Sequence, residues 1–267
     1  MSAVKEQASK SKPTAVESVS AVEHLEAFKS KVMKDAEETL LQKFPLRIYQ
    51  LTELMKSPEF NMNFTQCHAP INIPRPDPSG AETNGGDAET DQTRKRRRVD
   101  EDSTQGSDVD GSKVLLLPNG PVKLNQTLTK LFEITKPLIV QQINDCNLLK
   151  MWIELSIPKV EDGNNFGVDI QEECLKEVSS AESEAALYLD QPARYYMSRA
   201  KMIVKLAKYP HVEDYRKTIE ELDEKQYMNV KLVVRELFNN YAAIHDMLTK
   251  NLEKIKRPRT TNANSLY

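Results

Sequence analysis

Glycine is scarce in this 267-residue chain, which contains only eight. Five of the eight lie in one stretch, residues 80–111, so the rest of the chain contains three. A strand-rich or α/β protein of this length needs many more glycines at its turns, whereas long helices need few. The shortage of glycine therefore favours an all-α fold.

The chain also lacks the marks of a secreted or membrane protein. Its three cysteines, Cys67, Cys146 and Cys174, are too few and too scattered for a disulfide framework or a zinc cluster. No apolar run approaches the roughly 20 residues of a transmembrane helix, and residues 1–12 lack the apolar core of a signal peptide. A net charge of −3 gives no general attraction to nucleic acid or anionic lipid. We expect a reducing, intracellular compartment and no membrane partner.

Catalytic and metal-binding signatures are missing as well. None of the four histidines has a partner at metal-ligand spacing. Acidic pairs such as Glu172-Glu173 and Glu220-Glu221 are adjacent in sequence, so their side chains diverge around a helix and fit a solvated face. There is no glycine-rich phosphate loop, nucleophile elbow or Cys-His signature. The sequence predicts a protein that is not an enzyme and that needs no metal or cofactor.

A polar insert divides the chain into two helical regions. Residues 77–112 contain no aromatic side chain, and Val99 and Val109 are their only branched aliphatics. Such a segment cannot bury enough apolar surface to offset its ordering entropy, so we expect it to be disordered. The predicted regions are a disordered N-terminus at 1–18, an N-terminal helical region at 19–76, the insert at 77–112, a C-terminal helical region at 113–257 with a connecting loop at 158–168, and a flexible tail at 258–267.

Apolar residues at helical spacing predict four helical segments. Pro137 should kink its segment rather than end it, because the periodicity resumes at once. Pro192 is expected to bend or break the third segment. The segments are residues 22–40 with a continuation at 46–55 after the interruption at Pro45, 122–157, 170–209 and 211–255.

The lengths of these segments favour an elongated antiparallel four-helix bundle. At about 1.5 Å per residue, the second and fourth segments span roughly 54 and 67 Å. Their apolar stripes are wide, with Leu131 beside Phe132 and Val233 beside Val234. Wide stripes fit either a well-filled core or a bundle that also packs laterally against copies of itself, and periodicity leaves both open.

Two local features stand out from this helical background. Five consecutive cations in the insert could bind the acidic groove of a nuclear import receptor. A solvated charge run and a nucleic-acid tether are the alternatives, although the acids at 100–102 partly cancel the field that a phosphate backbone would feel. The loop at 158–168, PKVEDGNNFGV, contains Gly and Asn residues that tolerate positive φ, so it fits a defined turn or a contact surface. The five consecutive cations of the insert are Arg94, Lys95, Arg96, Arg97 and Arg98.

Three long strings carry a resemblance to a known family. They are MWIELSIPKVEDGNNFGVDIQEE at 151–173, AKYPHVEDYRKTIEELDEKQY at 207–227 and NLEKIKRPRTTNANSLY at 251–267. Together they resemble the 11S regulator (REG) family of proteasome activators, and the basic run and the Ser-Leu-Tyr ending are similar to its gamma, nuclear type. Pro192 and the first 18 residues depart from the family pattern.

The resemblance implies a homo-heptameric ring with an axial channel that activates the proteasome core particle in the nucleus without ATP. It implies an activation loop in which Asn164 opens the gate, a C-terminal tail that docks between alpha subunits of the core, and a channel-lining Lys201. The alternatives are a nuclear helical scaffold or adaptor and a nucleic-acid binder. The implied loop residues are Glu161, Asp162, Gly163, Asn164, Asn165, Phe166 and Gly167, and the tail residues are Ser265, Leu266 and Tyr267.

Overall fold

The computed structural model describes residues 15–76, 117, 119–161, 163 and 165–259, with side chains from residue 20 onward. Short 3₁₀ helices occur at Pro58–Phe60 and Phe64–Cys67, and the described ranges contain no strand. The prediction of an all-α fold is confirmed. The α-helices are α1 (Ala15–Glu38), α2 (Phe44–Lys56), α3 (Gln126–Ser156), α4 (Phe166–Tyr188), α5 (Gln191–Lys208), α6 (Glu213–Lys250) and α7 (Leu252–Lys256).

Three prolines have different effects because they occupy different helix positions. Pro45 lies at the start of α2, directly after a π-helical turn at Thr39–Lys43, so α1 and α2 follow one another without the predicted interruption. Pro192 lies at the start of α5, and the segment predicted over 170–209 is two helices. A first-turn N–H has no helical partner, so proline costs nothing there. Pro137 lies inside α3, which continues past it as predicted.

Several helix boundaries differ from the predicted ones. α1 begins at Ala15, inside the region predicted to be disordered at 1–18, because no glycine or proline ends the helix between residues 14 and 44. α3 begins at Gln126 rather than at 122, and Leu124 before it is exposed rather than buried. α6 begins two residues after the predicted start at 211, and Asn251 separates it from α7.

The first of two compact units, unit 1, comprises the described parts of Met1–Phe60, Thr135–Leu189 and Lys231–Tyr267. Its core contains four helical segments, namely α1 with α2, α3, α4 and α6, as the predicted four-helix bundle requires. The buried Asp145 of α3 accepts hydrogen bonds from Arg47 Nη2 of α2 at 3.0 Å and from Tyr241 Oη of α6 at 2.8 Å. Lys150 of α3 pairs with Glu182 of α4. Burial raises the pKa of Asp145 despite the neighbouring guanidinium.

Unit 2 comprises the described parts of Asn61–Ile134 and Asp190–Val230. A polar cluster holds it together around Asp223 of α6, which is 1% exposed. Tyr195 Oη, Asn125 Nδ2 and Arg199 Nε donate to this carboxylate at 2.8, 2.9 and 3.3 Å. Asn125 also caps α3 by accepting the backbone N–H of Leu128 at 3.1 Å. The hydrogen bonds from Tyr195 and Asn125 to this carboxylate offset part of the cost of burying its ion pair with Arg199.

The described segments before and after the insert are held together within unit 2. Asn72 Nδ2 donates to the backbone oxygen of Asn119 at 2.9 Å, and Asn119 Nδ2 donates to the backbone oxygen of Asn72 at 3.1 Å. Ile73 packs against Leu206 of α5 and Ile219 of α6. The basic run at 94–98 lies between these clamped ends in sequence and outside the described residues.

Candidate functional site

The loop between α3 and α4 is exposed at its described residues 160, 161 and 163. Gly163 has φ +82°, in the left-handed region that the Gly and Asn residues of this loop tolerate, and no described residue beyond its chain neighbours lies within 4 Å of where its Cβ would stand. Val160 and Glu161 are exposed. Asp162 and Asn164 lie outside the described residues.

The loop ends earlier than the sequence predicted. The backbone N–H groups of Val168 and Asp169 donate to the Asn165 oxygen at 2.8 and 2.9 Å, which makes Asn165 the N-cap of α4. Phe166 and Gly167, predicted as loop residues, therefore belong to the first helical turn. The two differ in environment, because the Phe166 side chain is 71% exposed while Gly167 is buried.

Gly167 is buried against the C-terminal segment that follows α7. A Cβ at this position would lie 2.0 Å from the backbone oxygen of Pro258 and 2.7 Å from its Cα. Only a residue without a Cβ permits so close an approach of two backbones. Pro258 is itself buried. The flexible tail predicted at 258–267 is thus wrong for Pro258, which packs against α4.

One buried side chain fixes the ends of two helices at this place. Gln171 Nε2 donates to the backbone oxygen of Ser156, the last residue of α3, at 3.0 Å. The same nitrogen donates to the backbone oxygen of Ile255 in α7 at 2.7 Å. Carbonyl groups in the last turn of a helix have no partner within it, so both need such a donor. Gln171 thereby holds the start of the loop and the start of the C-terminal segment in fixed positions.

Arg259 adds a direct link between that segment and the loop. Its Nη1 donates to Glu161 Oε2 at 2.9 Å, and its Nη2 donates to Asn165 Oδ1 at 3.4 Å. The Arg259 side chain is 19% exposed, whereas that of Glu161 is 60% exposed. The prediction of a flexible tail is therefore wrong for Arg259 too. Its guanidinium bridges both sides of the loop, since Glu161 precedes residues 162–164 and Asn165 follows them.

Lys201 is an exposed residue of α5 in unit 2. The apolar side chains of Met197 and Val204, one turn before it and nearly one turn after it, are exposed as well. The remaining predicted site residues, namely the tail at 265–267 and the basic run at 94–98, lie outside the described residues.

Sequence reasoning missed Gln171, Pro258 and Arg259 as parts of this site. The sequence pattern ends the fourth helical segment at Ile255 and predicts a flexible tail at 258–267, which places neither Pro258 nor Arg259 beside the loop. Gly167 carried a usable signal, because a glycine beside the first turn of a helix indicates either a turn or a close backbone approach. Nothing in the sequence indicated which segment approaches it.

Two buried cysteines elsewhere in the chain have weakly acidic thiols. Burial raises the pKa of the Cys67 thiol to about 11 and that of Cys146 to about 12, so neither is a thiolate nucleophile at neutral pH. Within the described part of the chain, no group of three or more His, Cys, Asp or Glu side chains is placed to hold a metal ion. No described helix has both the length and the apolar character needed to cross a membrane.

Comparison with known proteins identifies the family. The family model "Proteasome activator PA28, C-terminal" matches residues 121–265, and "Proteasome activator PA28, N-terminal" matches residues 20–78. Proteasome activator complex subunit 3 of Homo sapiens is 47% identical over 244 residues, which are 91% of this chain and 94% of that protein. The Gallus gallus protein of the same name is 45% identical with the same coverage.

A solved structure shows the same relationship. The 11S subunit of the Plasmodium falciparum proteasome, PA28, is 30% identical to this chain. It superposes with a TM-score of 0.69 over 89% of this chain and 95% of that structure. The resemblance found in the sequence is confirmed, and the chain belongs to the PA28 family of proteasome activators.

Proposed function

We propose that this chain stimulates peptide hydrolysis by the proteasome core particle, without ATP and without catalysis of its own. The observation that carries the proposal is the junction of loop and C-terminal segment through Gln171, Gly167 and Arg259. It holds an exposed turn beside the start of the segment that would bind the core. The names of the relatives, proteasome activators, support the same function.

In this proposal the tail and the loop have separate tasks. Ser265, Leu266 and Tyr267 dock into pockets between the alpha subunits of the core, where an apolar pair beside a terminal carboxylate is a recurrent recognition element. Asn164 contacts the gate. The loops bias a gate that already has closed and open states, which requires only a difference in contact energy between the two.

The proposed assembly is a homo-heptamer around an axial channel lined by Lys201. Val22, Leu25 and Phe28 of α1 belong to the apolar stripe seen in the sequence, yet all three are exposed in the single chain. An apolar helix face left uncovered in the protomer supports lateral packing against copies of the chain rather than a filled core. A ring would present all tails together, so weak individual contacts gain avidity.

The proposed location is the nucleus, reached through an import receptor that binds residues 94–98. A stretch of five cations supports this interpretation. The hydrogen bonds between Asn72 and Asn119 join the described segments on both sides of the insert, so a receptor that binds residues 94–98 would contact neither of these two residues directly.

The test is hydrolysis of fluorogenic peptides by purified core particle, with and without this protein and without ATP. The intact protein should stimulate hydrolysis several-fold and should run as a heptamer in native mass spectrometry. Deleting residues 265–267 should abolish binding to the core, while Asn164→Tyr should bind and fail to stimulate. Arg257→Gln, a loss of charge at an exposed position near the tail, is the matched control and should behave as the intact protein.

Absence of stimulation by intact, heptameric protein would reject the proposed function. Stimulation that survives the deletion of 265–267 would reject docking through the tail. A stable Asn164→Tyr variant that stimulates fully would return the loop to a merely structural connection.

A further inference from the structure

We propose that Arg259 is a positioning residue that transmits docking of the C-terminal tail to the activation loop. This inference rests on the proposed function and deepens it, because it names how the two contacts with the core are coupled within one protomer. The starting observation is that Arg259 contacts the loop on both sides of residues 162–164, through Glu161 at 2.9 Å and Asn165 at 3.4 Å.

Val160 and Gly163 of the loop are open to solvent. Val160 is fully exposed, and no described residue other than the chain neighbours lies within 4 Å of a Cβ built on Gly163. Among the described residues, both side-chain hydrogen bonds that reach 159–165 from outside the loop come from Arg259. This guanidinium therefore contacts both flanks of residues 162–164, in addition to the helix-capping contacts of Asn165.

Arg259 is also placed to respond to the tail. Ser265 lies six positions after it, so even a fully extended chain joins them over roughly 20 Å. On its N-terminal side, Pro258 is packed against Gly167, and Gln171 holds the Ile255 oxygen at 2.7 Å. Arg259 is thus anchored on its N-terminal side and bonded to the loop, while its C-terminal side leads directly to the proposed docking tail.

The bond from Arg259 to Glu161 is charge-assisted, which makes it stronger and more directional than a neutral hydrogen bond. The exposure of Glu161 weakens it through solvent screening. Its contribution to folding is accordingly small. Its contribution to the orientation of the loop is larger, because few other contacts compete with it.

The experiment measures binding and stimulation separately in three variants. Arg259→Gln and Glu161→Gln each remove one charge and keep a polar side chain. The pair Arg259→Glu with Glu161→Arg restores the ion pair with reversed polarity. Arg257→Gln and Glu172→Gln are the controls, because both residues are exposed. Arg257 lies two positions before Arg259 in sequence, and Glu172 lies on α4.

Each single variant should remain heptameric and should reach half-maximal stimulation at a protein concentration within about twofold of the unmodified protein. Maximal stimulation should fall at least fivefold, which corresponds to a loss of no less than about 1 kcal/mol for the whole ring. The reversed pair should recover at least half of the lost stimulation, and the two controls should show no change.

Hydrogen exchange of the protein without core gives an independent readout. The amides of 159–165 should exchange faster in Arg259→Gln than in the unmodified chain, because the loop loses its bond to the C-terminal segment. Unchanged loop exchange, unchanged maximal stimulation or failure of the reversed pair to recover activity would each overturn the inference. Since loop exchange is measured without core, it separates failure of this coupling from failure of the proposed function.

Discussion

Gly167→Ala sets two physical effects against each other at the junction of α4 and the C-terminal segment. Alanine is favoured over glycine inside a helix by about 0.5–1 kcal/mol, so helix propensity alone predicts a more stable protein. The added Cβ would lie 2.0 Å from the Pro258 oxygen and 2.6 Å from its carbonyl carbon. Both distances involve backbone atoms, which cannot rotate away as a flexible side chain would.

The clash should outweigh the gain in propensity. An ordinary contact to a Cβ begins near 3.4 Å, so the backbone at Pro258 must move by more than about 1 Å. Overpacking of this kind costs about 1–3 kcal/mol. The same movement strains the hydrogen bond from Gln171 to the Ile255 oxygen, whose loss costs about 1 kcal/mol. We expect a net destabilisation of about 1–3 kcal/mol together with reduced stimulation of the core.

The measurement is urea unfolding at a fixed protomer concentration, because assembly makes stability depend on concentration. Glu172→Ala is the matched control, since it lies on the exposed side of the same helix and gains propensity without a clash. The control should unfold at the same or a slightly higher urea concentration. A Gly167→Ala protein that is as stable as this control and stimulates fully would refute the close backbone contact.

Two further predictions concern unit 2 and the insert. Asp223→Asn should lower the free energy of unfolding by about 3 kcal/mol in the same urea assay, because the buried guanidinium of Arg199 loses its charged partner. If the loss is no larger than that of the exposed control Lys225→Gln, the buried ion pair does not stabilise unit 2. Replacing residues 96–98 with alanine should move a fluorescent fusion from the nucleus to the cytoplasm at unchanged Tm, and continued nuclear accumulation would reject the import interpretation.

The helical fold could be predicted because its signals are local. Scarcity of glycine and apolar residues at helical spacing report the conformation of the chain around them. They do not report what covers an apolar face. Leu25, Phe28, Ala36 and Leu40 belong to the same apolar stripe of α1 and the π-helical turn after it. The first two are exposed, whereas the last two are fully buried. Periodicity alone cannot separate a core contact from a surface that awaits a partner.

The effect of a proline could not be predicted from apolar spacing, because it depends on where the helix begins. Pro45 and Pro192 both stand at a helix start, where the missing N–H is harmless. The segment before Pro45 remains helical through a π-helical turn, whereas the segment before Pro192 ends at Tyr188. The two cases differ in the turn that precedes the proline, and spacing of apolar residues does not encode that turn.

The candidate site shows the same division between local and distant information. The turn at Gly163 was predicted, since its conformation follows from the residue itself. The bond between Arg259 and Glu161 joins residues 98 positions apart. The cluster around Asp223 likewise joins residues from α5, α6 and the start of α3. No spacing rule relates such residues, because their proximity arises only when the helices pack.

One partly exposed ion pair is too weak to control a gate. Seven equivalent pairs acting on the same gate are not. Exposed pairs contribute about 0.2–1 kcal/mol each. In the proposed heptamer every such bond acts on the same gate, so a loss of about 0.5 kcal/mol per protomer becomes roughly 3.5 kcal/mol for the ring. Moving a two-state equilibrium from 1:99 to 99:1 takes about 5.5 kcal/mol. Symmetry therefore allows Arg259 to be decisive for stimulation while remaining nearly neutral for the stability of one protomer, which is why binding and stimulation must be measured apart.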